Sequence, residues 1–194
     1  MTAVILCDCS EDDLGEYILL KCLCDEISVS HEIQWVDVAA LNIATCKKCH
    51  RCRPHGDCVL PEDDAHRVGR MVFAADALVV GLSTTPDALG GRFVHLLERI
   101  SASLNFKNNK GETCPWHHGR SAVVVCSEKK TPHASINQVS NRPADCYLLK
   151  TLSAGGFDLI GLVSSYNHYS TCIDDLPIEK ARALGRSLSN AKPI

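Results

Sequence analysis

The sequence predicts an α/β three-layer sandwich in which helices cover both faces of a five-stranded parallel sheet of order 2-1-3-4-5. Three observations predict it. Short β-branched runs alternate along the chain with segments of helical period. The first run, Ala3 to Cys7 (AVILC), is apolar throughout, as a strand buried on both faces must be. The 194 residues hold no internal repeat, low-complexity stretch or linker, so residues 1–194 are expected to form one domain with a real core.

Each element follows from its residues. After the first strand, LGEYILLKCLCDEI reads as a helix and EIQWVDV as the second strand. A cysteine-rich loop at 45–60 comes next. EDDAHRVGRMVFAAD then opens with acids and spaces its apolar residues at about 3.6, which predicts a helix. ALVVGL is the third strand, GGRFVHLLERISASLNF the following helix and SAVVVCS the fourth strand. PADCYLLKTLSAGG is a helix stopped by glycine, and FDLIGLVSS the fifth strand. DDLPIEKARALGRSLSN closes the chain, with acids and Pro177 where helix N-termini favour them. Such sheets bind ligands beyond the carboxyl ends of their strands. The long irregular stretch from Lys107 to Gly119 has the length of a functional loop.

A net charge of −3 argues against a general binder of nucleic acid or of membrane surfaces. No apolar run approaches a membrane span, and the first residues read as a buried strand, not a signal peptide. A cytoplasmic protein is expected. Thiols stay reduced there, so twelve cysteines ask for metal or redox chemistry. The chain has no nucleophile elbow, Walker loop or dinucleotide fingerprint, so acyl transfer and nucleotide hydrolysis are poor readings.

Four of the cysteines, Cys46, Cys49, Cys52 and Cys58, crowd into CKKCHRCRPHGDC. Two CxxC steps that share a cysteine suit a [4Fe–4S] cubane, with the fourth ligand a little further on. Lys47, Lys48, Arg51 and Arg53 would offset thiolate charge, and Gly56 would permit the return turn. Zinc and free thiols are the alternatives. Cys7, Cys22 and Cys24 read as packing, and Cys9 with Cys7. His117 and His118, with Cys114 in the same loop, could bind metal or carry protons, but adjacent loop residues rarely converge on one centre, so both are expected in solvent or at an interface, and His95 at an interface. Tyr166, His168 and Tyr169 would stand at the ligand edge. Phe93, Leu96, Leu97 and Ile100 recur at helical spacing beyond what covering the sheet should need, which points to oligomerisation through this helix.

Three stretches carry a family resemblance. They are the C-x2-C-x2-C-x5-C motif followed by VLPEDDAHRV; ADALVVGLSTTPDALGGRFVHLLERI, with its Gly91, Phe93 and Arg99; and the terminal EKARALGRSLSN. On these the chain resembles the flavodoxin-like NAD(P)H-dependent FMN reductases, and most closely their iron–sulfur flavoprotein branch. The resemblance implies a homodimer or tetramer that passes electrons between NAD(P)H or another donor, FMN, the cluster and a redox partner protein or small-molecule acceptor. It places Ser10, Ser83, Thr84, Thr85 and Ser127 against the FMN.

The flavin contacts depart from the family pattern. The loop after strand 1 keeps Ser10 and Gly15, but acids replace its cation: Glu11, Asp12, Asp13 and Glu16. A carboxylate about 6 Å from a phosphate charge costs about 3 kcal/mol at an effective dielectric constant of about 20. Ser83-Thr84-Thr85 stands where the family has Pro-x-Tyr, and Ser127-Glu128-Lys129 replaces glycines at the ring edge. The alternative is a flavin-less, cluster-bearing electron relay or interaction module on the same fold.

Overall fold

A computed structural model describes residues 1–8, 14–52, 58–84, 91–128, 143–166 and 175–191. Strands β1 (Thr2–Asp8), β2 (Glu32–Asp37), β3 (Ala77–Thr84), β6 (Ser121–Glu128) and β7 (Asp158–Tyr166) form the main sheet. Helices α1 (Leu14–Ile27), α2 (Asp64–Ala74), α3 (Gly91–Arg99), α4 (Ser101–Leu104), α5 (Pro143–Ala154) and α6 (Asp175–Ser189) connect or cover it. Two short strands, β4 (Asn105–Lys107) and β5 (Thr113–Pro115), pair apart from it. The main sheet runs β2-β1-β3-β6-β7 with every pairing parallel, which is the predicted order once the separate hairpin is discounted. The fold is flavodoxin-like.

Residue alternation along β1 builds both halves of the core. Val4 and Leu6 face the side covered by α2, α3, α4 and α5. Ala3, Ile5 and Cys7 face α1 and α6. A strand with two buried faces cannot carry polar residues on either, which is why its sequence is an unbroken apolar run. On the second face α6 lies close against α1. A Cβ on Gly185 would stand 2.7 Å from the Leu23 carbonyl oxygen, a backbone atom that cannot swing aside.

Two expectations are corrected here. Phe93, Leu96, Leu97 and Ile100 are all 0–2% exposed within the protomer, so these four residues belong to its own core and not to a stripe left for a partner. The expected helix also breaks at Ile100, and α4 then sets Ser103 against Gly69 of α2, where a Cβ would meet the Ser103 hydroxyl at 2.7 Å.

The stretch from Lys107 to Gly119 holds the β4–β5 hairpin, not an open loop. Asn108 closes its turn by accepting the amides of Lys110 and Glu112, and Gly111 takes φ +78°. The segment leads into the first residue of β6, so it lies at the amino edge of the sheet, away from the strand ends that bind ligands. His118 is exposed, but His117 is fully buried, stacked on Phe157 with ring centroids 4.4 Å apart. Its Nε2 donates to the Ser103 carbonyl (2.8 Å), and its Nδ1 accepts from Arg120 (3.2 Å). Burial, reinforced by the Arg120 charge and opposed by the Ser103 bond, lowers its pKa to about 4. Among the described residues no helix is long and apolar enough to cross a membrane.

Two outcomes follow from these contacts. Gly185→Val should lower the urea midpoint by the equivalent of about 2 kcal/mol, since overpacking outweighs the gain in helix propensity. His117 is neutral in the fold and protonates near 6.5 once unfolded. Its contribution is therefore present above pH 6.5 and is lost as pH falls towards 4, by about 3 kcal/mol in all. Urea titrations across this range should show the slope, and His117→Gln should flatten it.

Candidate functional site

The carboxyl edge of the sheet brings several of the predicted flavin residues together. Ser83 pairs with Ser127 and Thr84 with Glu128 at the ends of β3 and β6, while Asp8 of β1 stands beside Leu82. Ser10 and Thr85 lie outside the described residues, as do Cys9, Glu11, Asp12, Asp13, His168 and Tyr169. Tyr166 is the last residue of β7. At the first turn of α1, Glu16 is fully buried. An acid in the first turn of a helix complements the positive end of its dipole.

The cysteine loop lies elsewhere, against α3 and α5. Cys46, Cys52 and Cys58 are half-buried and Cys49 is exposed. Lys48 and His50 adopt φ of 51° and 55°, the left-handed region that residues with a Cβ seldom enter. The curl this produces turns the Lys48 amide onto the Cys46 sulfur at 3.4 Å. Burial raises the pKa of the Cys52 thiol, and the charges of Cys58, Cys46 and Cys49 raise it further, so the four sulfurs sense one another. Among the described residues, no three His, Cys, Asp or Glu side chains are drawn close enough to hold a metal ion. Residues 53–57, including Arg53 and Gly56, lie outside the described set.

A buried polar cluster fastens both ends of this loop. Arg99, the last residue of α3, has a side chain with 0% exposure and forks onto Asp63 at 2.6 and 2.9 Å. It also donates to the Ala44 carbonyl at 2.6 Å, while the Ala44 amide donates to Asp63 at 3.0 Å. Asp63 is at once the N-cap of α2, accepting the Ala65 amide. His66 completes the capping box: its Nδ1 accepts the Asp63 amide (3.1 Å), and its Nε2 donates to the Cys58 carbonyl (3.0 Å). Burial pushes the Asp63 carboxyl up, but the Arg99 and Ala44 hydrogen bonds, the Arg99 charge and His66 outweigh it and hold it at about 2.

Asp63 was legible as part of an acidic helix start. Arg99 and His66 as loop anchors were not. The available signal was an arginine set among the apolar positions of α3, since a cation there needs a buried carboxylate.

Between the loop and the α3–α5 groove lies an open cleft of about 340 Å³, lined among others by Cys46, Cys52, His50, Tyr147 and Lys150. Lys48 reaches across it to Glu98 at 3.5 Å. The remaining described thiols are quieter. Cys7 and Cys24 are buried as expected, and burial, then Asp25 and Cys7, pushes the Cys24 thiol up to about 12. His95 is half-buried on α3.

No protein-family model and no curated protein sequence matches the chain. Solved structures do match. An azoreductase from Bacillus anthracis str. Sterne superposes with a TM-score of 0.71 at 10% identity, covering 96% of this chain and 100% of its own. An FMN-dependent NADH-azoreductase from Bacillus anthracis str. Ames Ancestor, solved in complex with FMN, gives 0.68 at 14% identity over 97% and 99%. The NAD(P)H:quinone oxidoreductase from Methanothermobacter marburgensis gives 0.63 at 16% over 97% and 98%. At these identities the likeness is one of fold.

Removing the anchor should be costly. Asp63→Ala would leave the Arg99 guanidinium buried and unpaired, and should destabilise the protein by about 3–5 kcal/mol in chemical denaturation. The folded carboxyl is depressed from 3.8, so its contribution is complete above pH 3.8 and fades as pH falls to about 2.

Proposed function

We propose that the chain is a redox protein of the flavodoxin-like oxidoreductase kind, with Cys46, Cys49, Cys52 and Cys58 as the ligands of an iron–sulfur centre. The observation that carries this reading is the cysteine loop itself. Half-exposed thiols and cations sit on an irregular segment whose two ends are fastened by one buried polar cluster, Arg99 and Asp63 at Ala44 and His66 at Cys58. A segment with no role could be left loose. The residue types are those a cubane uses, soft thiols at CxxC spacing with a backbone amide on one sulfur, although among the described residues no three of them are drawn together around a metal position. Lys47, Lys48 and Arg51 would offset the charge of the ligands.

The solved relatives support a flavin at the carboxyl edge, where Ser10, Ser83, Thr84, Thr85 and Ser127 would hold FMN. When bound, FMN would supply hydride and single-electron exchange, and a [4Fe–4S] cluster would relay single electrons. NAD(P)H is the proposed donor, and a redox partner protein or small molecule the acceptor. The proposal takes residues 1–194 as one domain in the cytoplasm, and takes its homodimer or tetramer from the resemblance alone. A second reading, a flavin-less relay on the same fold, is favoured by the buried Glu16 at the start of α1. A carboxylate there takes up the roughly half positive charge that a phosphate would use.

Anaerobic purification followed by assays of iron, sulfide, zinc and released flavin tests both readings. Iron and sulfide at about four each per chain are expected, with FMN below one equivalent. Cys49→Ser should abolish the broad visible absorption of the cluster. Asp12→Arg should tighten FMN in a fluorescence titration and make its binding salt-sensitive. Zinc at one per chain without iron would sink the cluster, and one tightly held FMN per chain would refute the charge argument and the relay together.

A further inference from the structure

We propose that the cleft between the cysteine loop and the α3–α5 groove is a binding site for a small aryl carboxylate, its anion held by Lys150 and Lys48 and its ring against Tyr147. The inference goes beyond the redox reading and does not rest on it, since the groups that hold the ligand are not the thiols.

The cleft measures about 340 Å³, inside the range of about 300–1,000 Å³ usual for small-molecule sites. Three elements wall it. The loop brings Lys48 and His50, α3 brings Leu97 and Glu98, and α5 brings Tyr147 and Lys150. Most of the lining surface is apolar, with these few polar groups converging on it, as in sites that bind organic ligands.

The backbone of the loop points the same way. Among the described residues, Lys48 and His50 are the non-glycine positions with positive φ, and both line the cleft. Left-handed backbone at residues with a Cβ persists where the surroundings enforce it, and it gathers at ligand sites.

Charge selects the ligand. Lys48 and Lys150 are opposed by Glu98 alone, so with His50 neutral the lining keeps one positive charge in excess. A monoanion complements that excess, and a polyphosphate would overshoot it. Lys48 meets Glu98 at 3.5 Å, but its side chain is 75% exposed, so the pair is weak and the ammonium is free to turn onto a ligand. Among the described residues, no side-chain hydrogen bond or ion pair engages Lys150 or His50. Tyr147 is 40% exposed, which leaves ring surface for an aromatic body to pack on.

Calorimetric titration of the isolated protein with naphthoate, and with naphthamide as its neutral counterpart, tests the site. Naphthoate should bind at least about tenfold more tightly than the amide, as one charge-assisted hydrogen bond implies. Lys150→Met should remove most of that preference. Glu98→Gln should tighten naphthoate about threefold, because it releases Lys48 and removes a like charge. Lys107→Met, on the β4–β5 hairpin, should change nothing. Equal affinity for acid and amide, unchanged binding in Lys150→Met, or an equal loss in Lys107→Met overturns the inference. Amide shifts in heteronuclear NMR should gather at Lys48, Leu97, Tyr147 and Lys150. Shifts gathered instead at the ends of β3 and β6 would put the ligand at the carboxyl edge of the sheet and overturn the site as well. Iron assayed on the same sample judges the cluster separately: naphthoate bound by iron-free protein supports the cleft while counting against the cluster.

Discussion

An arginine side chain with no exposed surface imposes conditions on everything around it. The charge of Arg99 cannot stay in a dry interior without a carboxylate, and Asp63 cannot reach it unless α2 begins where it does. The same carboxylate caps α2, so helix start, helix end and loop anchor are one set of hydrogen bonds. Moving any member would strand the others. The pair therefore ties the loop geometry to the packing of α2 and α3 on the sheet.

The parallel sheet was legible because its central strands have no solvent face to disguise them. Runs such as AVILC and ALVVGL can belong to little else, and the helices between them set the order. The α3 stripe misled because hydrophobic spacing reports burial without saying what does the burying. Phe93, Leu96, Leu97 and Ile100 are covered by their own protomer. His117 misled for a related reason. Two adjacent histidines look alike in sequence, yet one sits under Phe157 and the other in solvent. Which one turns inward depends on Gly155 and Ser103, residues about 38 and 14 positions away that meet it only in three dimensions.

The cysteine loop was legible in its thiols but not in its supports. Spacing alone singled out four thiols, since two CxxC steps sharing a cysteine stand out in any sequence. Their fastenings run through the carbonyls of Ala44 and Cys58, and backbone groups leave no mark in a sequence. At the carboxyl edge the reverse holds. Ser83, Thr84 and Ser127 are brought to neighbouring strand ends by register, which a sequence pattern of paired strands can suggest, while the burial of Glu16 in the first turn of α1 could not be read from it.

Lys48 and His50 hold left-handed backbone without being glycine. Each such residue costs about 1–2 kcal/mol relative to ordinary backbone, so the loop keeps its bend against a local preference for another shape. That preference is overruled with the help of anchors at the loop's ends, on the carbonyls of Ala44 and Cys58. A floppy segment would have to surrender most of its conformational entropy when a ligand arrived. This one has surrendered part of it during folding, so anything that bound there would ask less of the binding energy.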